Sequence, residues 1–149
     1  MKSRAKPINS FKCVFPAKSV NESFARTVVS SFVSQLDPRL GELSDLKTAV
    51  SEAVTNCIVH AYRDRTGELP VMLSAEYYSG GRVVVVIKDK GCGIEDVEKA
   101  MEPLFTTDAE SERSGMGFTV MESFCDRVKV TSKPGKGTSV RLEKRISLT

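Results

Sequence analysis

The chain has 149 residues, 40% of them hydrophobic, and 22 Lys and Arg against 19 Asp and Glu give a formal net charge of +3. That suits one domain whose core needs no disulfide or metal staple, and no run reaches the ~20 apolar residues of a membrane span. Cys13, Cys57, Cys92 and Cys125 form no C-x-x-C pair and His60 is the single histidine, so neither a zinc site nor a disulfide framework is expected, and the thiols suit a reducing cytoplasm. Met1 to Pro7 is basic but no apolar run follows it, which excludes a secretory signal.

Ser10 to Phe15 alternates, with Phe11, Cys13 and Phe15 on one face, and predicts a strand that Pro16 to Val20 interrupts. Asn21 is the expected N-cap of a helix whose start Glu22 favours. Phe24, Val28, Phe32 and Leu36 recur every four residues, so that helix should run to about Asp37-Pro38 with these side chains on its apolar face. Ser44 and Asp45 should open a second helix, apolar at Leu46, Ala49, Val50, Ala53, Val54, Cys57, Ile58 and Ala61. Arg63 to Pro70 reads as a polar turn. Val71 to Tyr78 and Arg82 to Lys88 read as strands joined at Ser79-Gly80-Gly81. The run from Val83 to Ile87 is apolar on both faces, which predicts a central, covered strand. A short helix is expected over Ile94 to Met101, then a loop, a helix over Gly117 to Cys125, and strands over Arg127 to Thr131 and Thr138 to Glu143. The strands come mainly as hairpins, so the fold class is α+β: a mixed, largely antiparallel sheet with helices on one face. Lys129, Lys133, Lys136, Arg141, Lys144 and Arg145 gather near the end. No aromatic residues interleave with them as base stacking would need, so a solvated strand face is expected rather than a nucleic-acid surface.

Three segments carry the chemistry. Glu52, Asn56 and His60 fall at i, i+4 and i+8, one polar stripe without lysine or arginine on an otherwise apolar helix. An amide oxygen one turn from a carboxylate suits magnesium chemistry, with the carboxylate placed to orient or deprotonate a hydroxyl; an ordinary exposed face is the other reading. His60 reads as a packing or hydrogen-bonding residue before it reads as a phosphate acceptor. Asp89, at the end of the central strand, precedes Gly91, Gly93 and Ile94. A carboxylate there accepts hydrogen bonds and could take an adenine amine, while the glycines let a ligand approach the backbone; taken alone, the segment reads first as a plain Asp-x-Gly turn. Gly115, Met116, Gly117 and Phe118 precede or open a helix whose free amides would attract phosphate. The loop before it, with Thr106, Thr107 and Arg113, could act as a lid, Arg113 reaching a terminal phosphate; a surface loop with a routine arginine is the other reading. No G-x-x-x-x-G-K-[ST], no G-x-G-x-x-G and no H-R-D or D-F-G is present.

In this order the segments resemble the ATP-binding boxes of the gyrase, Hsp90, histidine-kinase and MutL superfamily: Glu52 to Asn56, Asp89 to Ile94, Gly115 to Phe118, and a final Gly137-Thr138. Asn21 to Arg26, Ser51 to Asn56, Pro103 to Thr107 and Glu112 to Phe118 carry a closer resemblance, to the sporulation anti-sigma-F factors (the SpoIIAB family), from about Ser10 to Lys144. The resemblance implies an α/β sandwich of the Bergerat type over residues 10–145, a cytoplasmic homodimer, and ATP, ADP and Mg²⁺ as ligands; residues 1–9 lie outside it and read as a disordered tail. It implies capture of the sporulation sigma factor F and phosphorylation of one serine on the anti-anti-sigma factor SpoIIAA. By position, Glu52 is then the base, Asn56 the magnesium ligand, Asp89 and Thr138 the adenine contacts, and Arg113 the terminal-phosphate contact. Gly91, Gly93, Gly115 and Gly117 shape pocket and lid, and Arg26 meets both partner proteins. It further implies that ATP favours sigma-factor capture and ADP the complex with the unphosphorylated antagonist. A nucleotide-gated binding module without kinase activity is the alternative. A histidine kinase is disfavoured, since no dimerisation helix bearing a phospho-acceptor histidine precedes the first strand.

Overall fold

The computed structural model describes residues 5–62, 69–102 and 117–148. In chain order these form β1 (Asn9–Pro16), α1 (Val20–Val33), a 3₁₀ turn (Ser34–Leu36), α2 (Leu40–Asn56) and a π turn (Cys57–Ala61). Next come β2 (Pro70–Tyr77), β3 (Arg82–Asp89), α3 (Val97–Ala100), α4 (Gly117–Phe124), β4 (Arg127–Ser132) and β5 (Thr138–Arg145). The sheet order is β1-β2-β3-β5-β4 and each of the four pairings is antiparallel. The expected α+β class is observed, with a sheet more uniform than the mixed one the hairpins suggested.

Alternation along the strands decides the layers. Leu73 pairs with Ile87 and Ile87 with Val140, all on one face, and these residues are buried under α1, α2 and α4. On its other face the central strand β3 is covered only in part: Val84 is buried by polar side chains, Val86 is half-buried and Lys88 is exposed. Val84, only 1% exposed, lies in register between Glu76 and Glu143. Around it, Arg82 donates to Glu143 at 2.9 Å and stacks 4.1 Å from the Tyr78 ring centroid, and the Tyr78 hydroxyl donates to Glu76 at 2.6 Å. Near the chain end, Arg141 also pairs with Glu143 at 3.4 Å, and Lys144 Nζ donates to the Phe124 carbonyl at 2.8 Å.

Helix starts depart from the sequence reading. Ser19, not Asn21, is the N-cap residue of α1, without a side-chain cap; the Asn21 amide donates instead to the Pro16 carbonyl at 2.9 Å, tying the helix to the end of β1. The buried face of α1 is Ala25, Val29, Phe32 and Val33. Phe24 is 46% exposed and meets Phe15 edge-on at 5.8 Å, because both stripes have helical spacing and the small Ala25 lets the helix seat closely on its neighbours. The helical part ends at Val33 and the 3₁₀ turn carries it to Asp37, whose φ of 52° reverses the chain. α2 opens at Leu40 rather than at Ser44. Glu42 accepts from the Arg39 amide at 3.0 Å, a local start signal three residues apart, and its other oxygen accepts from the Ser147 amide at 2.8 Å, tying that start to the far end of the chain.

Candidate functional site

α2 carries Glu52 and Asn56 one turn apart, both half-buried. Gly117, the first residue of α4, sits over them. A methyl group built on Gly117 would lie 3.4 Å from Asn56 Oδ1, 3.5 Å from Asn56 Nδ2 and 3.6 Å from Glu52 Oε2. The Asn56 amide and the Glu52 carboxylate therefore meet at Gly117. His60, half-buried, lies in Cys57–Ala61, which winds as a π turn directly after α2.

The π turn is stitched to the loop after β3. The Ala61 carbonyl accepts from the Cys92 amide at 3.0 Å, and Gly91 packs so tightly on Ala61 that a Cβ there would overlap it. Tyr62, buried, donates its hydroxyl proton to the Pro70 carbonyl at 2.7 Å and accepts from the Lys90 amide at 2.6 Å. Tyr62→Phe should therefore cost about 1–3 kcal/mol of stability, measured by denaturant unfolding; an unchanged midpoint would show that the hydroxyl holds nothing in place.

Asp89 ends β3 with both carboxylate oxygens engaged. Oδ1 accepts from the Gly91 amide at 2.9 Å and the Thr138 amide at 3.2 Å, and Oδ2 from the Cys57 thiol at 3.5 Å. Burial pushes the Asp89 pKa up, and the Gly91 amide, the Cys57 thiol and the Thr138 amide act against that. Burial, with the Asp89 charge beside it, raises the Cys57 thiol well above its ordinary value, so it keeps its proton and stays a donor. Gly93 and Gly137 both have positive φ, 76° and 85°, and each lies against backbone, Gly93 on the Lys133 carbonyl and Gly137 on the Asp89 carbonyl. A side chain at either position would be strained and would also collide. Ile94 donates its amide to Ser132 Oγ at 2.8 Å. The helix expected over Ile94 to Met101 is shorter, Val97–Ala100, with Asp96 capping Lys99 N at 3.1 Å.

The fold thus gathers Glu52, Asn56 and Gly117 at one end of the helix layer. It gathers Asp89, Gly91, Gly93, Ile94 and Thr138 where β3 ends and β5 begins. Phe118 packs against the core. Thr106, Thr107, Arg113, Gly115 and Met116 lie outside the described residues. Sequence reasoning missed three members: Cys57, read only as an apolar helix position, Tyr62 and Ser132. A polar residue at the last position of a strand, as Ser132 is, was the one available signal.

Among the described residues no three His, Cys, Asp or Glu side chains group as a metal site. The oxygens of Glu52 and Asn56 are nevertheless the hard donors that magnesium takes when phosphate oxygens complete its shell. The residues fit a nucleotide-borne ion rather than a protein-held one.

Residues 15–144 match the histidine kinase-like ATPase domain. The anti-sigma F factor of Thermoanaerobacter sp. (strain X514) is 54% identical over 138 residues, which is 93% of this chain and 94% of that protein. The anti-sigma F factor of Bacillus subtilis (strain 168) is 49% identical over 140 residues, 93% and 94% of the two chains. Among solved structures, the RsbU and RsbW domains of Rv1364c from Mycobacterium tuberculosis superpose with a TM-score of 0.70 at 17% identity, over 96% of this chain and 34% of that one. The SiaB-SiaC complex from Pseudomonas aeruginosa gives 0.63 at 12%, over 92% and 89%. At those identities the two structures speak for the fold alone. Sequence and architecture converge: the chain belongs to the anti-sigma F factors, built on the histidine kinase-like ATPase domain.

Proposed function

We propose that this protein, as a homodimer, holds sporulation sigma factor F away from RNA polymerase and uses Mg·ATP to phosphorylate one serine of the anti-anti-sigma factor SpoIIAA. The observation that carries the kinase half is the convergence of Glu52 and Asn56 on the start of α4. Phosphoryl transfer needs alignment, charge neutralisation and an oriented nucleophile. Asp89 and Thr138 take the adenine end, the α4 start and Arg113 take the phosphates, and Glu52 accepts the serine proton as the serine Oγ bonds to the γ-phosphorus. The bond from that phosphorus to the β–γ bridging oxygen breaks, and ADP leaves with the electron pair. Asn56, together with the phosphates, would hold magnesium, which would supply charge neutralisation. Intact-mass analysis of SpoIIAA incubated with the protein and Mg·ATP should show one added phosphate, mapping to serine. ATP bound without transfer would make the protein a nucleotide-gated clamp on the sigma factor.

The sigma-factor half rests on the family and on one surface. Val20 and Phe24, one turn apart on α1, are left 73% and 46% exposed, an apolar surface of the kind partners use. Arg26, half-exposed on the same helix, lies 3.3 Å from Glu22. Arg26→Glu reverses the charge there and places two carboxylates one turn apart. It should weaken both partner proteins by about 2 kcal/mol or more, as a central arginine does, read by titration of each partner. Wild-type affinity for both would remove the shared patch from the proposal.

A further inference from the structure

We propose that Ser132, the last residue of β4, selects the purine that the site accepts, by fixing where the hydroxyl proton of Thr138 points. The inference rests on the reading of Asp89 and Thr138 as the pair facing the base.

Ser132 Oγ has three polar neighbours. The Ile94 amide donates to it at 2.8 Å, the Gly137 carbonyl lies at 2.9 Å, and Thr138 Oγ1 lies at 2.8 Å. A serine hydroxyl offers one proton and two lone pairs. The Ile94 amide occupies one lone pair. The Gly137 carbonyl can only accept, so the Ser132 proton goes to it. The second lone pair then meets Thr138, and that bond forms only if Thr138 is the donor. The reverse arrangement, with Ser132 donating to Thr138, gives up the bond to Gly137 and makes one hydrogen bond fewer.

The proton of Thr138 is therefore committed to Ser132, and its free valence toward any ligand is lone pairs. Asp89 stands beside it, joined through the Thr138 amide at 3.2 Å. Ile87 pairs with Val140, so the same register carries Asp89 and Thr138 onto the helix-covered face together. Two neighbouring acceptors complement a 6-amino group, which has two N–H donors. A 6-oxo group would set a third acceptor against them. A buried polar mismatch of this kind discriminates much more strongly than a missing apolar contact. Ser132 touches no ligand in this scheme; it is a positioning residue acting through Thr138.

The test compares the dissociation constants of Mg·ATP and Mg·ITP, which differ only at the 6-amino edge of the base. Ser132→Ala frees the Thr138 proton to turn toward a 6-oxo group, so the preference for ATP over ITP should fall by about tenfold or more, with part of the change a gain in ITP affinity. Ser132→Thr keeps a hydroxyl and should keep the wild-type preference. Thr138→Val should also lower the preference, mainly by weakening ATP, and in that background Ser132→Ala should change it no further. Equal loss of both nucleotides in Ser132→Ala would make Ser132 a structural residue and overturn the proposal. So would a wild-type preference in Thr138→Val, which also decides the matter if Ser132→Ala does not fold. Wild-type protein that binds neither nucleotide would instead overturn the nucleotide reading itself.

Discussion

Glu52→Gln should slow phosphate transfer to SpoIIAA by about 10²–10⁴-fold, the range for loss of a positioned general base, while Mg·ATP affinity changes little. The substitution keeps the size and the helix propensity of the side chain, so α2 and its packing should survive it. It removes the one property the reaction needs, a carboxylate that takes up the serine proton. Asn56, one turn on, retains its oxygen beside Gly117, which keeps the nucleotide end of the site intact. Single-turnover transfer followed by intact mass, alongside nucleotide titration, separates the two effects. Transfer at the wild-type rate would show that the serine loses its proton elsewhere. A parallel loss of ATP binding would show that Glu52 holds the nucleotide rather than the proton.

The second large effect is expected at Asp89. Asp89→Asn should weaken Mg·ATP by about 1.5–3 kcal/mol, the contribution of a hydrogen bond to a charged partner, because its amide keeps one oxygen for the Gly91 and Thr138 amides but turns a donor toward the base. The fold should tolerate it. The raised pKa of Asp89, caused first by burial, means that the folded chain binds this proton more tightly than the unfolded chain does. The ionised carboxylate thus costs stability above both pKa values, and the cost is relieved as pH falls through the raised one. Relative to Asp89→Asn, the nucleotide-free wild type should gain stability on acidification. Nucleotide binding runs the opposite way. It needs the acceptor form, so ATP affinity should begin to fall at a higher pH than an ordinary aspartate's 3.8, and Asp89→Asn should flatten that profile. Thermal melts and ATP titrations between neutral and mildly acid pH check both. A binding profile identical in wild type and Asp89→Asn would remove Asp89 from base recognition.

Much of the architecture was legible from the chain. Alternation in β1, the hairpin at Gly80-Gly81 and the doubly apolar run of β3 each report a local pattern, and a local pattern survives whatever the rest of the fold does. The order of the nucleotide segments was legible for the same reason, since each is short and contiguous. Failures came where a local signal had a competitor from elsewhere. Asn21 looked like a cap and is used by Pro16. The four-residue repeat of α1 fitted two stripes, and packing selected the one with Ala25.

By itself, then, the sequence determined the class, the strand and helix order, and the residue types available for a nucleotide. Only the tertiary structure decided which protons those residues can offer. The contacts that set them join Cys57 to Asp89 across 32 positions, Ile94 to Ser132 across 38, and Asp89 to Thr138 across 49. Periodicity is a property of neighbours along a chain. The direction of a hydroxyl proton depends on where strands that are distant in sequence happen to stop, and it exists only once the sheet has brought their ends together.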